Sequence, residues 1–221
     1  MVNATDYGSP LALRHSSLVI GERPHVHTFI RTLLLLLCAA ALSAMPVQAQ
    51  QGTEAFSTVE LRLGGTSNVN RNFLHEFWQS GTGVEAALAT PFYVGFLELG
   101  TAIHRYEADQ DVPGFGALWL YTGWGLGVDV ADRFRLDGSA RLGNYRMSFD
   151  DASEFAGVAT ENELGVMLNA RLAVRLVGPV SVYASGSYLQ AYTFLRLKLW
   201  YASAGLSIRT PSPDWLKNIL Q

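Results

Sequence analysis

Residues 161–176 read E-N-E-L-G-V-M-L-N-A-R-L-A-V-R-L. Leu164, Val166, Leu168, Ala170, Leu172, Val174 and Leu176 occupy even positions, while Glu163, Gly165, Met167, Asn169, Arg171, Ala173 and Arg175 occupy odd ones. Successive side chains of an extended chain point to opposite faces, so this strict period of two makes one face continuously apolar and the other charged or small. A helix would scatter the same residues around its circumference. The stretch therefore predicts a long β-strand.

The design recurs along the chain. Val59, Leu61 and Leu63 alternate with Glu60 and Arg62; Val84, Ala86 and Leu88 with Gly83, Glu85 and Ala87; Leu97, Leu99, Thr101 and Ile103 with Glu98, Gly100, Ala102 and His104. Leu118, Leu120, Trp124, Leu126 and Val128 oppose Trp119, Tyr121, Gly123, Gly125, Gly127 and Asp129. Leu136, Ala140 and Leu142 oppose Arg135, Asp137, Ser139 and Arg141, after which a slip of parity near Gly143-Asn144 predicts a bulge. Val180, Val182, Ala184 and Tyr188 oppose Ser181, Tyr183, Ser185 and Ser187, and Trp200, Ala202, Ala204, Leu206 and Ile208 oppose Tyr201, Ser203, Gly205, Ser207 and Arg209. About eight strands result, the even count of a small membrane-spanning barrel.

Connections alternate in length. Thr90-Pro91, Ala131-Asp132-Arg133 and Val177-Gly178-Pro179 read as tight turns, whereas 66–77, 107–114 and 149–162 are long and polar. The connection after Tyr188 is short and aromatic, with Tyr192, Thr193 and Phe194. The fold class expected is all-β: an eight-stranded antiparallel transmembrane β-barrel with a short C-terminal helix.

Cost assigns the faces. A mid-strand arginine or lysine pointing into hydrocarbon costs about 2–4 kcal/mol, so the charged face must line the lumen. Glu60, Arg62, Glu85, Glu98, Asp137, Arg141, Glu163, Arg171 and Arg175 form the expected lumen charge network, and Leu164, Val166, Leu168, Leu172, Val174 and Trp200 the lipid-facing set. Both signs are nearly balanced, which predicts a paired, plugged lumen rather than a selective channel, and the many inward glycines make room for long side chains. A soluble up-and-down barrel alternates too, but its wet outer face needs lysine, and only Lys198 and Lys217 are present.

Composition agrees with an exported, folded chain. Of 221 residues, 49% are hydrophobic and only 16% charged, which argues against disorder. The net charge of -3 without a Lys/Arg stripe excludes a nucleic-acid partner. Residues 32–44 form an apolar block after Arg31 and before Val47-Gln48-Ala49, the pattern of a secretory signal cleaved after Ala49, and the run is too short to span a bilayer as a helix. Leu37 stands where a lipoprotein signal carries a small residue, so Cys38 leaves with the leader. The expected division is a gene-model extension or disordered segment at 1–25, a signal peptide at 26–49, the barrel at 50–210 and a periplasmic amphipathic tail at 211–221. In that tail Ser212 reads as a helix N-cap followed by Pro213 and Asp214, with Trp215, Leu216, Ile219 and Leu220 on one side.

With its signal, strand count and alternation such as that of 164–176, the chain resembles the small eight-stranded outer-membrane barrels of the OmpX and OmpW kind. One departure is the continuation past Ile208-Arg209 as T-P-S-P-D-W-L-K-N-I-L-Q, where many such proteins end in an aromatic residue. The resemblance implies an outer-membrane location, outer-membrane lipid and the barrel-assembly machinery as partners, a monomer, and a structural or surface-interaction role without cofactor or metal. Some barrels of this size are lipid A-modifying enzymes that pair a rim histidine with a serine. His104-Arg105-Tyr106 is the best match, but residue 106 is Tyr where the deacylase pattern has Ser, so no catalytic residue is assigned. A rim enzyme and a narrow pore for small hydrophobic solutes are the alternatives. Gly123-Trp124-Gly125-Leu126-Gly127 lies inside a strand and lacks the spacing of a dinucleotide loop, and Pro113 and a missing downstream Glu spoil a calcium loop at Glu107, Asp109 and Asp111.

Overall fold

A computed structural model describes residues 54–109, 112–150, 160–193 and 196–215. The extension at 1–25, the signal segment with Cys38, and the tail beyond Trp215 lie outside the described residues, as do Asp111 and Phe194.

Nine strands run through the described residues: β1 (Thr58–Asn68), β2 (Trp78–Ser80), β3 (Thr82–Phe92), β4 (Gly95–Ala108), β5 (Phe115–Ala131), β6 (Phe134–Phe149), β7 (Thr160–Val177), β8 (Val180–Ala191) and β9 (Leu197–Pro211). Eight of them pair in the order β4-β3-β1-β9-β8-β7-β6-β5, and β5 returns to β4, so the sheet closes into a barrel. Every pairing is antiparallel, including the seam between β1 and β9, where Leu61 faces Ile208 and Thr58 faces Pro211. Closure gives each strand two neighbours and removes the exposed edge that an open sheet would offer. The ninth strand, β2, belongs to the first long loop and pairs only with β4.

Alternation decides which way each side chain points. Along β7 Leu164, Leu168, Leu172 and Leu176 are exposed, with Val166 and Val174 sharing their parity, while Gly165, Met167, Asn169, Arg171 and Ala173 are buried. Outward residues of the other strands, among them Leu63, Leu99, Leu120, Leu142 and Trp200, are likewise exposed apolar side chains. The buried residues lie inside the ring.

Two local expectations are corrected. The parity of β6 does not slip at Gly143-Asn144: the pairing runs unbroken from Asp137↔Arg171 to Ser148↔Thr160, so Asn144 and Arg146 point out and Tyr145 and Met147 point in. The register breaks of the described pairings lie instead at Val130 and Leu176, each an extra residue beside a turn. Thr90-Pro91 is not the first tight turn either. Strand β3 continues to Phe92, and Tyr93-Val94 turn the chain, with Tyr93 at φ 48°. Pro91 fits in a strand here because it lies past Ala89, the last β3 residue in register with β1, so its missing N–H breaks no ladder bond.

Asp132-Arg133 and Gly178-Pro179 make the other two-residue turns, and Gly178 supplies the left-handed backbone (φ 56°) that the third hairpin requires. All three turns and both chain ends of the ring lie at one end of the barrel. The long connections lie at the other.

Inward glycines fit large side chains opposite them. A Cβ on Gly165 would lie 2.4 Å from the Trp119 ring, and one on Gly100 2.4 Å from the Tyr121 ring. Replacing Gly165 with Val should therefore overpack the lumen and lower stability by about 1–3 kcal/mol. The urea midpoint for loss of the fast-migrating unboiled form measures the effect, and an unchanged midpoint would count against this close packing.

Candidate functional site in the barrel lumen

The lumen divides into two layers. The layer nearer the tight turns is ionic. Glu98 of β4, with no exposed side-chain surface, accepts hydrogen bonds from Arg62 Nη1 at 2.9 Å, Arg141 Nε at 2.6 Å and Ser139 Oγ at 2.8 Å. Arg62 Nε also donates to Glu60 Oε1 at 2.9 Å, and Arg171 Nη1 donates to the same oxygen at 2.7 Å. Arg171 further donates to Asp137, whose other oxygen accepts from Arg135 Nε at 2.8 Å. Arg209 Nη2 reaches Glu60 Oε2 at 2.5 Å. Strands β1, β4, β6, β7 and β9 thus supply one connected network across the barrel.

Such a network is stable only when every buried charge keeps a partner, because desolvating an ion costs several kcal/mol that the pairing must offset. Aromatic faces add to it. Arg141 lies 4.6 Å over the Tyr121 ring, Arg62 5.2 Å over Phe96 and Arg171 5.6 Å over Tyr183.

The layer nearer the long loops is aromatic. Trp119, Tyr121, Tyr106, Phe115, Tyr145 and Tyr201 are buried together with Leu189 and Leu199. Tyr106 stacks on Phe115 at 4.6 Å, and the Tyr106 and Tyr201 hydroxyls lie 3.0 Å apart. The first long loop folds over this layer. A short 3-10 turn, Phe73–Glu76, is capped by Asn72, and its Leu74 is buried in the same cluster. Asn70 and Asn72 tie the loop down by donating to the Lys198 carbonyl at 3.0 and 2.8 Å, and Trp78 Nε1 donates to the Pro113 carbonyl at 2.8 Å. Within that loop, burial and the nearby Arg71 charge hold the His75 imidazole below its ordinary pKa.

Of the nine residues expected in the lumen network, Glu60, Arg62, Glu98, Asp137, Arg141 and Arg171 come together. Three do not. Glu85 accepts a hydrogen bond from the Tyr183 hydroxyl at 2.9 Å rather than an ion pair. Glu163 shares the inward parity of Arg171 but lies at the loop end, level with Tyr145, and makes no ion pair among the described residues. Arg175 is exposed at the turn end. Of the outward set, Leu164, Leu168, Leu172 and Trp200 are exposed, and Val166 and Val174 are half-buried.

Ser139, Arg135 and Arg209 complete the ionic layer, and parity alone points to them. The tyrosine layer is harder to find. A slip of parity at Gly143 would turn Tyr145 outward, whereas Tyr145 and Tyr106 are both buried. His104 is buried: it is 4% exposed, its ring lies 4.5 Å from that of Tyr201, and neither ring nitrogen has a hydrogen-bond partner among the described residues. Gly123, Gly125 and Gly127 point inward as small lumen residues. Among the described residues no group of His, Cys, Asp and Glu is placed to hold a metal ion.

No protein-family model matches the chain, and no curated protein matches its sequence. Solved structures do match. Neisserial surface protein A superposes with a TM-score of 0.50 at 11% identity, over 70% of this chain and 96% of that one. The fold is that of the small eight-stranded outer-membrane barrels. The attachment invasion locus protein Ail of Yersinia pestis, in complex with the heparin analogue sucrose octasulfate, gives 0.47 at 12% identity over 70% of this chain and 99% of that one. The outer membrane protein OprG of Pseudomonas aeruginosa gives 0.46 at 12% over 71% and 97%. Identities this low speak to the backbone path, and the side chains that fill this barrel are its own.

Proposed function

We propose that the chain is an outer-membrane protein with a structural or surface-interaction role, a lumen closed to solutes and no enzymatic activity. The observation that supports this reading is the stacked filling of the barrel: an ion-pair layer joining five strands beneath an aromatic layer covered by Leu74. The apolar outer face meets lipid. Short turns at one end and long loops at the other support the usual sense for such barrels, with turns in the periplasm and loops outside. Outer-membrane lipid and the barrel-assembly machinery are then its partners, and the barrel acts as a monomer without a cofactor.

Single-channel recording tests the reading. Reconstituted in planar bilayers, the protein should show no large, stable open channel, since an eight-stranded lumen is only wide enough for its own side chains. A reproducible conductance like that of a sixteen-stranded porin would overturn it.

A further inference from the structure

We propose that the mouth at the tight-turn end of the barrel is a binding site for a phosphate-type oxyanion. A cavity of about 260 Å³ opens there, between the β5–β6 and β7–β8 turns and the ends of β1 and β9. Its inner wall is the ionic layer, through Glu60 and Arg171, so the cavity is blind.

Its charge is unbalanced in a specific way. Arg135, Arg171 and Arg209 line the cavity, but each is already held by a carboxylate of the network. Those carboxylates are fully engaged: Glu60 accepts from Arg62, Arg171 and Arg209, and Asp137 accepts from Arg135 and Arg171. Two further lining arginines, Arg133 and Arg175, have no ion pair among the described residues; of the exposed lining carboxylates Asp132 has none either, and Asp129 meets only Arg135, at 3.5 Å. Arg133, Arg135, Arg171, Arg175 and Arg209 against Glu60, Asp129 and Asp132 leave the lining as a whole positive.

Backbone geometry brings the two arginines together. The Arg175 N–H donates to the Arg133 carbonyl at 2.8 Å, joining the β5–β6 turn to β7. The register breaks at Val130 and Leu176 flank the same cavity, and a bulge re-aims the side chains beside it. Two guanidinium forks beside a surplus of positive charge suit an anion with several oxygens in one plane or tetrahedron. A phosphate monoester offers two charges and three such oxygens, more than a carboxylate can. The group arrives on a soluble solute or on a lipid headgroup. The site itself does not depend on membrane orientation, which decides only the compartment it faces.

Calorimetry on the full-chain protein purified from membranes into an uncharged detergent tests this, with inorganic phosphate as one probe and short-chain phosphatidic acid as the other. Saturable binding is expected, weakened by higher salt. Arg133→Gln with Arg175→Gln should weaken it by about tenfold or more, as the loss of charge-assisted hydrogen bonds implies. Arg146→Gln, at the outward loop end, should leave it unchanged. If the double variant does not fold, each exposed single variant makes the same comparison, with Arg175→Lys retaining more binding than Arg175→Gln. Similar affinity for the two probes assigns the group to a solute, and much tighter binding of the lipid assigns it to a headgroup. No saturable binding of either probe, or full binding by the arginine variants, overturns the proposal.

Discussion

Replacing Leu168 with arginine should impair insertion of the barrel and destabilise whatever inserts by about 2–4 kcal/mol, the cost of an arginine at bilayer mid-depth. Leu168 sits midway along β7, opposite Ala140 on one side and Tyr188 on the other, and is 59% exposed. No lumen group can reach a charge placed there. Arg171, three positions on, has only 2% of its side chain exposed and points the other way. Labelling separates the two faces without relying on stability, because the one cysteine of the chain, Cys38, lies in the expected leader. Cysteine at 168 should react with a lipid-soluble thiol probe in reconstituted vesicles, and cysteine at 171 should not. Reversed labelling, or a Leu168→Arg protein that purifies without detergent and unfolds like the parent, would reject a lipid-facing outer surface.

Removing the Glu98 carboxylate should be the most damaging single change inside the lumen. Glu98→Ala leaves Arg62 with Glu60 and the Phe96 face, and it leaves Arg141 with the Met167 sulfur at 3.6 Å and the Tyr121 face. Breaking one side of a buried pair typically costs about 3–5 kcal/mol, because the remaining charge stays desolvated. Glu98→Gln should cost less, since it keeps the shape and one acceptor oxygen. Combining Glu98→Met with Arg141→Met should recover part of the loss, as removing both charges ends the mismatch. Equilibrium unfolding in urea, followed by the unboiled gel shift, reads all three. A Glu98→Ala protein within about 1 kcal/mol of the parent would mean that water, rather than the carboxylate, solvates these guanidiniums.

Alternation is a local property, and it carried the architecture. Period two along residues 161–176, repeated in the other strands, was enough to read β-structure, an even number of strands, a charged interior and an apolar exterior. The two faces of a strand differ by one residue, so no tertiary information is needed to separate them. Local reading failed where a break in pattern has two explanations. Asn144 and Arg146 look like a bulge, but they are polar residues on the outward face near the end of a long strand, and Pro91 looks like a turn where the sheet merely has no bond for it to break.

Height along the barrel is what the sequence alone did not contain. Parity names every inward charge but not its level, and an ion pair needs both partners at one level within reach. Glu163 and Arg175 share the parity of Arg171, yet at about 3.3 Å per residue they stand about 26 Å and 13 Å from it along β7. Closure between β1 and β9 and the register of each hairpin bring Glu60 within 2.7 Å of Arg171 across 111 residues of chain. The same registers gather Tyr106, Tyr145 and Tyr201 into one layer and leave Arg133 and Arg175 at an open mouth. Which charges are paired, which are buried beneath aromatic rings and which are left free to meet a ligand was decided by how the strands are staggered when the sheet closes, because pairing depends on distance through space and alternation specifies only direction.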